Sequence, residues 1–294
     1  MSGKLKEVRL RIGSVNSTKQ ITLAMKLVSA SKLRKAQEAI TNMRPYSERL
    51  SNMLKNLAVA TEGEVEIAEA AQRDVRNALV VLITSDRGLC GGFNANLIKK
   101  SKAALEDLEG AKTSLMIIGK KGFDAYKRSE VELNTDFQNL FEDVSFENTS
   151  KVSELLLSDF ASGKYDKVIV IYSEFKNAVS QEYKADQFLP IAKIETGGDE
   201  EKAKEMNSDY IFEPNKVELI QQLVPKILKT QFHKYILDNN ASEHGARMTS
   251  MDNATENAND LLKELKISYN RARQAAITTE LTEIVSGAAA LKAG

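Results

Sequence analysis

Apolar positions recur at alternating steps of three and four residues along the C-terminal third of the chain. The series runs through Met248, Met251, Thr255, Ala258, Leu262, Leu265, Tyr269, Ala272, Ala276 and Thr279 without a break. Residues 215–290 also contain only one proline, Pro225, and two glycines, Gly245 and Gly287. A heptad seam of about four and a half repeats, in a segment nearly free of helix breakers, predicts a long helix in a coiled coil. Such a shaft usually moves, spaces or connects other parts.

The first 57 residues carry a second seam that is interrupted once. The seam residues are Leu5, Val8, Ile12 and Val15, and then Leu33, Ala36, Ile40, Met43, Ser47, Leu50, Leu54 and Leu57. Between these two sets the same phase holds Lys19, Thr22, Lys26 and Ser29, while apolar residues move to Ile21, Met25 and Val28. Either the helix pair unwinds over these turns, or this stretch faces a different partner. Pro45 is the one expected kink.

Between residues 77 and 194 the pattern changes to short, uninterrupted apolar runs. They lie at 78–83, 115–118 and 168–172, and amphipathic stretches at 94–108 and 152–160 separate them. Runs without alternation are typical of strands buried on both faces of a parallel sheet. The predicted fold class is α/β plus long helices: an antiparallel coiled coil of the N- and C-terminal helices with an inserted Rossmann-like α/β domain. The predicted segments are 1–60 (coiled-coil helix), 75–195 (α/β domain) and 210–294 (coiled-coil helix), with an exposed loop at 195–209.

Charge is balanced over the 294 residues but uneven along them. Residues 1–55 hold 12 Lys and Arg against 3 Asp and Glu, so this segment favours an acidic partner. Nucleic acid, anionic lipid and protein carboxylates all remain possible partners on charge alone. The first 45 residues contain no aromatic side chain on which bases could stack, and the charges interleave with the seam. An acidic protein surface is therefore favoured, and a nucleic-acid binder, which would show salt-dependent DNA retention, is the weaker alternative.

The sharpest local motif is SDRGLCGG at 85–92, directly after a predicted strand and before a predicted helix. A glycine-rich turn at a helix N-terminus can hold a phosphate. However, the motif is neither GxGxxG nor a P-loop, because no phosphate-binding lysine follows. We favour a tight structural turn here and at 119–123, and we expect no cofactor. The alternative, a nucleotide-binding α/β enzyme with helical arms, would require micromolar ATP binding by the chain.

The remaining reactive side chains offer no catalytic or metal site. Cys90 is the only cysteine, which excludes an internal disulfide, and we expect it to be a buried structural thiol. His233 and His244 are the only histidines. Eleven helical positions separate them by about 16 Å, so they cannot share a metal ion.

The C-terminal tip carries an apolar stripe among small residues. Ile277, Leu281, Ile284, Ala288 and Leu291 lie on one face, and the only charges from 275 to 294 are Glu280, Glu283 and Lys292. A stripe of this kind would be unstable in water, so we expect a surrounding protein sleeve. The alternative is a tip that folds back onto the α/β domain.

Several motifs together resemble the gamma subunit of F-type ATP synthases, the central rotor shaft, over essentially the whole chain. They are the C-terminal pattern Ile277, Thr278, Glu280, Glu283, Gly287 and Ala288, and the segments at 85–94 (SDRGLCGGFN), 21–37, 210–214 (YIFEP), 241–251 (ASEHGARMTSM) and 269–276 (YNRARQAA). The resemblance implies a Rossmann-like domain that binds no nucleotide and a chain without catalytic residues. ATP chemistry would occur on the beta subunits of an alpha/beta ring, coupled to proton flow by rotation of the shaft.

The resemblance also implies partners and contact residues. Acidic loops of the beta subunits would meet Met25, Lys26, Arg273, Gln274, Thr278 and Glu280. The tip residues Ile277, Leu281 and Ile284 would stand in the apolar bearing of the ring, and the foot residues Tyr210, Phe212 and Glu213 would lie near the epsilon subunit and the membrane c-ring. One copy per complex is expected. With no apolar run of membrane-spanning length and no transit peptide, the expected location is peripheral, on the cytoplasmic face of a bacterial inner membrane, and a mature organellar chain is the alternative.

Overall fold

The computed structural model describes residues 2–60, 68–178, 180–191 and 215–293. In chain order the elements are α1 (Ser2–Ala60), β1 (Asn77–Ile83), α2 (Phe93–Glu106), β2 (Lys112–Ile118), α3 (Lys120–Tyr126), β3 (Glu132–Asn134), α4 (Phe146–Ala161), β4 (Lys167–Phe175), β5 (Gln181–Leu189) and α5 (Lys216–Ala293). The chain divides into two compact units. Unit 1 contains the residues up to Ser29 and from Met248 onward, and unit 2 contains Ala30–Arg247. The loop expected at 195–209 and the foot residues Tyr210, Phe212 and Glu213 lie outside the described residues.

Unit 2 contains a five-stranded sheet in the order β3-β2-β1-β4-β5. The strands β3, β2, β1 and β4 are parallel, and Val81 of β1 lies opposite Met116 of β2 and Val170 of β4. The predicted Rossmann-like sheet is thus confirmed at its three central strands. The two edge strands were not predicted, because β3 has only three residues and the antiparallel β5 (QEYKADQFL) is mostly polar.

Each face of the sheet has its own apolar core, as expected for central strands without alternation. On one face, Leu79, Val81 and Ile83 of β1 pack in a cluster with α4 and with α5 from Ile220 to Ile236. On the other face, Ala78, Val80 and Leu82 pack with α2 and α3, through Phe93, Leu97, Ala104 and Tyr126. The first part of α5 therefore contributes to the core of the α/β domain.

The two long helices are continuous, as the seams predicted. Helix α1 has 59 residues and α5 has 78, and the helical backbone runs through Pro45 and Pro225 without a break. Within unit 2, the predicted seam positions Leu33, Ala36 and Leu50 of α1 are buried. Heptad spacing is therefore sufficient to identify the inward face of this helix.

Candidate functional site

The two long helices form an antiparallel coiled coil in unit 1. The hydroxyl oxygens of Thr22 and Thr255 are 2.8 Å apart, and Lys26 Nζ is 2.5 Å from Asp252 Oδ1, so residue numbers rise on one helix as they fall on the other. On α5 the seam residues Met251, Thr255, Ala258 and Leu262 are buried, and Met248, Leu265, Tyr269, Ala272, Ala276 and Thr279 are half-buried. The predicted antiparallel coiled coil is confirmed.

The interrupted stretch of α1 remains part of this coiled coil. Thr22 and Ser29 keep the seam phase with exposed fractions of 9% and 3%, while Ile21 and Val28 are 60% and 58% exposed. The helix pair does not unwind here, so the first of the two alternatives raised by the sequence is wrong. The Thr22 and Thr255 hydroxyl groups pair inside the coiled coil, and Ile21 and Val28 face outward, where a different partner could meet them.

The six residues expected to meet the beta subunits lie at two levels of unit 1. Met25 and Lys26 are half-buried on α1, and the Lys26 ammonium group is paired with Asp252. The four candidate contact residues on α5 are all exposed: Arg273, Gln274, Thr278 and Glu280. Since Asp252 and Arg273 are 21 positions apart on one helix, the two levels are about 30 Å apart. The structure therefore groups the four α5 residues together and separates them from the α1 pair.

The apolar tip of α5 is exposed. Ile277, Leu281 and Ile284 have exposed fractions of 50%, 57% and 67%. Counting from the Thr22–Thr255 contact places Ser2, the first described residue of α1, opposite residue 275, so the helix beyond this point has no described α1 residue beside it. The tip is an apolar helix face of the kind that marks a protein–protein contact.

The glycine-rich turn at 85–92 is held by a side chain of α5. Leu89 and Gly91 take left-handed φ values of 63° and 59°, which close the turn between β1 and α2. Arg247 of α5 donates from Nη2 to the carbonyl oxygen of Arg87 (2.8 Å) and from Nε to that of Gly88 (3.2 Å). Its Nη1 contacts Glu243 Oε1 at 2.6 Å, and both side chains are 9% exposed.

Helix α5 also covers the carboxyl end of β4. The Ser173 N–H donates to Asn239 Oδ1, and the Ser242 hydroxyl donates to the Ser173 carbonyl oxygen, each at 3.1 Å. A doubly wound sheet normally binds its ligand in the crevice outside these strand ends. Here α5 binds both elements at this end of the sheet, since Ser242 donates to the backbone of β4 and the Arg247 guanidinium group donates to the carbonyl oxygens of the turn. The geometry supports the interpretation of 85–92 as a structural turn.

Cys90 and the two histidines lie in separate structural environments. Cys90 is buried, its Sγ accepts a hydrogen bond from Asn94 Nδ2 (3.2 Å), and burial raises the pKa of the thiol. His233 pairs with the Thr149 hydroxyl (2.9 Å), and burial lowers the pKa of its ring. Burial, together with Arg247 and Lys32, lowers the pKa of His244 to about 4. Within the described parts of the chain, no three His, Cys, Asp or Glu side chains are grouped as metal ligands.

The sequence did not predict four residues that make the key contacts of α5. Glu243 and Arg247 form the buried ion pair at the turn, and Asp252 and Thr255 bond to α1 in the coiled coil. Arg247 and Glu243 lie in the segment 241–251, which was noted only for its resemblance. Their spacing of four, which places opposite charges on one helix face, was the available signal.

Comparison with known proteins agrees with this geometry. A family model described as ATP synthase matches residues 4–291. The ATP synthase gamma chain of Cytophaga hutchinsonii is 49% identical over 98% of both chains, and that of Flavobacterium johnsoniae is 50% identical over 98% of both. The chain belongs to the ATP synthase gamma chain family. As a member of it, the chain is a non-catalytic central-stalk subunit of an F-type ATP synthase.

Solved structures of the family share the fold. A central stalk and c-ring structure of the Tetrahymena thermophila mitochondrial ATP synthase has a chain that matches with a TM-score of 0.57 and 25% identity, over 80% of this chain and 99% of that one. A chain from the Euglena gracilis mitochondrial ATP synthase matches with a TM-score of 0.63 and 18% identity, over 100% of this chain and 96% of that one. None of the helices in the described residues has an apolar stretch capable of crossing a bilayer.

Proposed function

We propose that the chain rotates inside a ring of alternating alpha and beta subunits and couples proton flow through a c-ring to ATP synthesis and hydrolysis on the beta subunits. One copy per complex, with an epsilon subunit beside it, completes the proposed assembly. The observation that carries this proposal is the exposed apolar face of the α5 tip, at Ile277, Leu281 and Ile284. An apolar helix end of this kind needs a sleeve, and the bearing of the ring is the proposed sleeve.

The proposed contacts with the acidic beta loops are Met25, Lys26, Arg273, Gln274, Thr278 and Glu280. Arg273 is the strongest candidate on charge, since an exposed guanidinium group can bind a carboxylate through two parallel hydrogen bonds. The Thr278 hydroxyl already donates to the Gln274 carbonyl oxygen (2.9 Å), which leaves its oxygen free to accept from a partner. Lys26 could meet a partner only through the third of its side chain that remains exposed.

The proposed coupling follows from asymmetry. Two different helices in a pseudo-threefold ring cannot present the same face to each beta subunit, so each subunit is biased toward a different state. Moving a two-state site almost completely from one state to the other takes about 5.5 kcal/mol of differential contact energy. Rotation by a third of a turn would exchange these biases among the beta subunits. Contacts on two levels of the shaft would together supply this energy.

The remaining expectations stay proposals. The segments are 1–60, 75–195 and 210–294, and the foot at Tyr210, Phe212 and Glu213 would meet the epsilon subunit and the c-ring. The proposed location is the cytoplasmic face of a bacterial inner membrane. The chain would be a peripheral protein there, held at the membrane by the rest of the complex.

Reconstitution with alpha and beta subunits tests this function. We expect steady ATP hydrolysis only when the full chain is added, and we expect deletion of 277–294 to weaken assembly while the near-ultraviolet circular dichroism of the α/β domain is retained. A matched control replaces the surface pair Arg34 and Glu38 with Met, since these side chains are 82% and 60% exposed in unit 2. Hydrolysis that does not depend on the chain would refute the proposal.

A further inference from the structure

A group of four polar side chains connects the two helices of the coiled coil within unit 1. This polar layer consists of Thr22, Lys26, Asp252 and Thr255. The Thr22 and Thr255 hydroxyl oxygens are 2.8 Å apart, and Thr255 also donates to the Met251 carbonyl oxygen at 2.7 Å. One turn away, the Lys26 ammonium group contacts the Asp252 carboxylate at 2.5 Å, with side chains 33% and 45% exposed.

Apolar packing gives little information on helix register at this level. On α1 the seam positions from 19 to 29 are Lys19, Thr22, Lys26 and Ser29, and the apolar Ile21 and Val28 face outward. In an apolar seam, one Leu can replace another after a shift of seven residues, so polar pairs are what usually specify register in coiled coils. The polar layer is placed where this specification is needed.

A shift of one heptad in either direction would separate Lys26 from the Asp252 carboxylate. The present pairing has residue numbers that sum to 277 at Thr22 and Thr255. After the shift, Thr255 would face either Val15 or Ser29, and the Lys26 ammonium group would face Asn259 or the backbone near Gly245 instead of a carboxylate. A seam of Leu and Ala alone would lose no specific partner in the same shift.

We propose that Lys26 is a positioning residue that acts through Asp252, and that the polar layer fixes the axial register of the two helices. This inference rests on the proposed rotor function, because a rotor must present the α1 and α5 contact residues at fixed relative heights. A slip of one heptad would move Arg273 relative to Met25 by about 10 Å along the shaft. The side chain expected to contact a beta loop would thus serve first to align the helices.

A charge exchange distinguishes this role from direct contact with an acidic loop. The variants are Lys26→Glu, Asp252→Lys and the double exchange, each in the complete ATP synthase in inverted membrane vesicles. The readout is ATP-driven proton pumping divided by ATP hydrolysis, a ratio that a simple loss of assembled enzyme would not change. We expect each single variant to lower the ratio about two- to fivefold and the double exchange to restore it, as expected for a directly coupled pair.

Each outcome of the exchange decides the question. If Lys26 acted on an acidic beta loop, the double exchange would remain as impaired as Lys26→Glu, and Asp252→Lys alone would be harmless; either result overturns the inference. Vesicles in which pumping did not require the chain at all would instead refute the proposed function. The surface pair variant Asp260→Met/Lys263→Met, with side chains 70% and 76% exposed, is the matched control and should retain the ratio.

Register can be measured directly in the isolated full-length chain. Spin labels at Ser17→Cys and Asn270→Cys, both exposed positions, report the axial offset of the two helices in a Cys90→Ser background. We expect one distance with the polar layer intact. Replacement of the layer by Thr22→Val, Thr255→Val, Lys26→Met and Asp252→Met should add a population shifted by about 10 Å. An unchanged single distance would overturn the inference, because apolar packing would then suffice to set register.

Discussion

Replacement of the buried Arg247 by Met should destabilise unit 2 more than any single surface change. Its guanidinium group is bonded to the carbonyl oxygens of Arg87 and Gly88 and to the Glu243 carboxylate, and only 9% of the side chain is exposed. The substitution removes all of these hydrogen bonds at once. It also leaves a buried acid without its counter-charge.

The structure sets the size of the effect. Breaking a buried ion pair by removing one partner costs about 3–5 kcal/mol of unfolding free energy. Burial raises the pKa of Glu243, while Arg247 lowers it, so Glu243 will take up a proton more readily in Arg247→Met. Protonation limits the loss, and we expect about 3 kcal/mol at neutral pH. Adding Glu243→Gln should recover about 1–2 kcal/mol, since no charge is then left buried.

The stability loss caused by Arg247→Met should also depend on pH. A carboxyl group whose pKa is higher in the folded chain than in the unfolded chain stabilises the fold at low pH. This contribution to the free energy of unfolding is lost as the pH rises through the pKa of the folded state. The deficit of Arg247→Met should therefore be smaller at pH 5 than at pH 8, by about 1 kcal/mol or more.

Urea unfolding followed by near-ultraviolet circular dichroism of the buried tyrosines, which include Tyr172 and Tyr235 of unit 2, measures these differences. Arg34→Met, an 82% exposed control, should stay within about 0.5 kcal/mol of the unsubstituted chain. A loss below about 1 kcal/mol for Arg247→Met, or no recovery from Glu243→Gln, would show that the buried pair does not hold α5 to the turn.

Other changes test the fold and the tip. His244→Gln should flatten acid denaturation: the His244 pKa is lowered to about 4 from 6.5, so its neutral ring stabilises above pH 6.5 and up to about 3 kcal/mol is lost by pH 4. Gly119→Ala should cost at least about 2 kcal/mol in urea unfolding, because φ is 96° and the added Cβ would overlap the Thr84 carbonyl oxygen; Gly110→Ala, with φ of 105° in open space, should cost about 1 kcal/mol. Ile284→Asn, at a position 67% exposed, should leave unfolding unchanged but weaken retention of alpha and beta subunits by about 1–2 kcal/mol; equal retention would contradict burial of the tip.

The periodic features could be predicted from the sequence because burial imposes them at every repeat. The steps of three and four from Met248 to Thr279 placed the inward face of α5, and the uninterrupted apolar runs placed three central strands. Over the interrupted stretch of α1 the apolar pattern did not identify the inward face, because the polar Thr22 and Ser29 hold the buried positions there and the apolar Ile21 and Val28 are exposed.

The contacts between distant residues could not be predicted in the same way. Arg247 reaches carbonyl oxygens about 160 positions earlier in the chain, and no local pattern indicates which backbone groups lack a donor. Strand β5 was missed for a related reason: as an edge strand it keeps polar residues such as Lys184, which pairs with Glu174 of β4. Its strand character comes from pairing with β4 and not from its own composition.

Unit 1 separates two tasks that a uniform heptad seam would merge. An apolar seam stabilises a helix pair without fixing its register, whereas a polar layer fixes register and contributes little stability. In α1 the polar-layer residues Thr22 and Lys26 lie on the side that faces α5, and the apolar Ile21 and Val28 lie on the outer side. Because polar residues take the seam positions here and apolar residues take the outer ones, the same stretch of α1 provides both the polar layer inside the helix pair and an apolar surface outside it. A shaft that must be both aligned and in contact with its surroundings requires both at the same height.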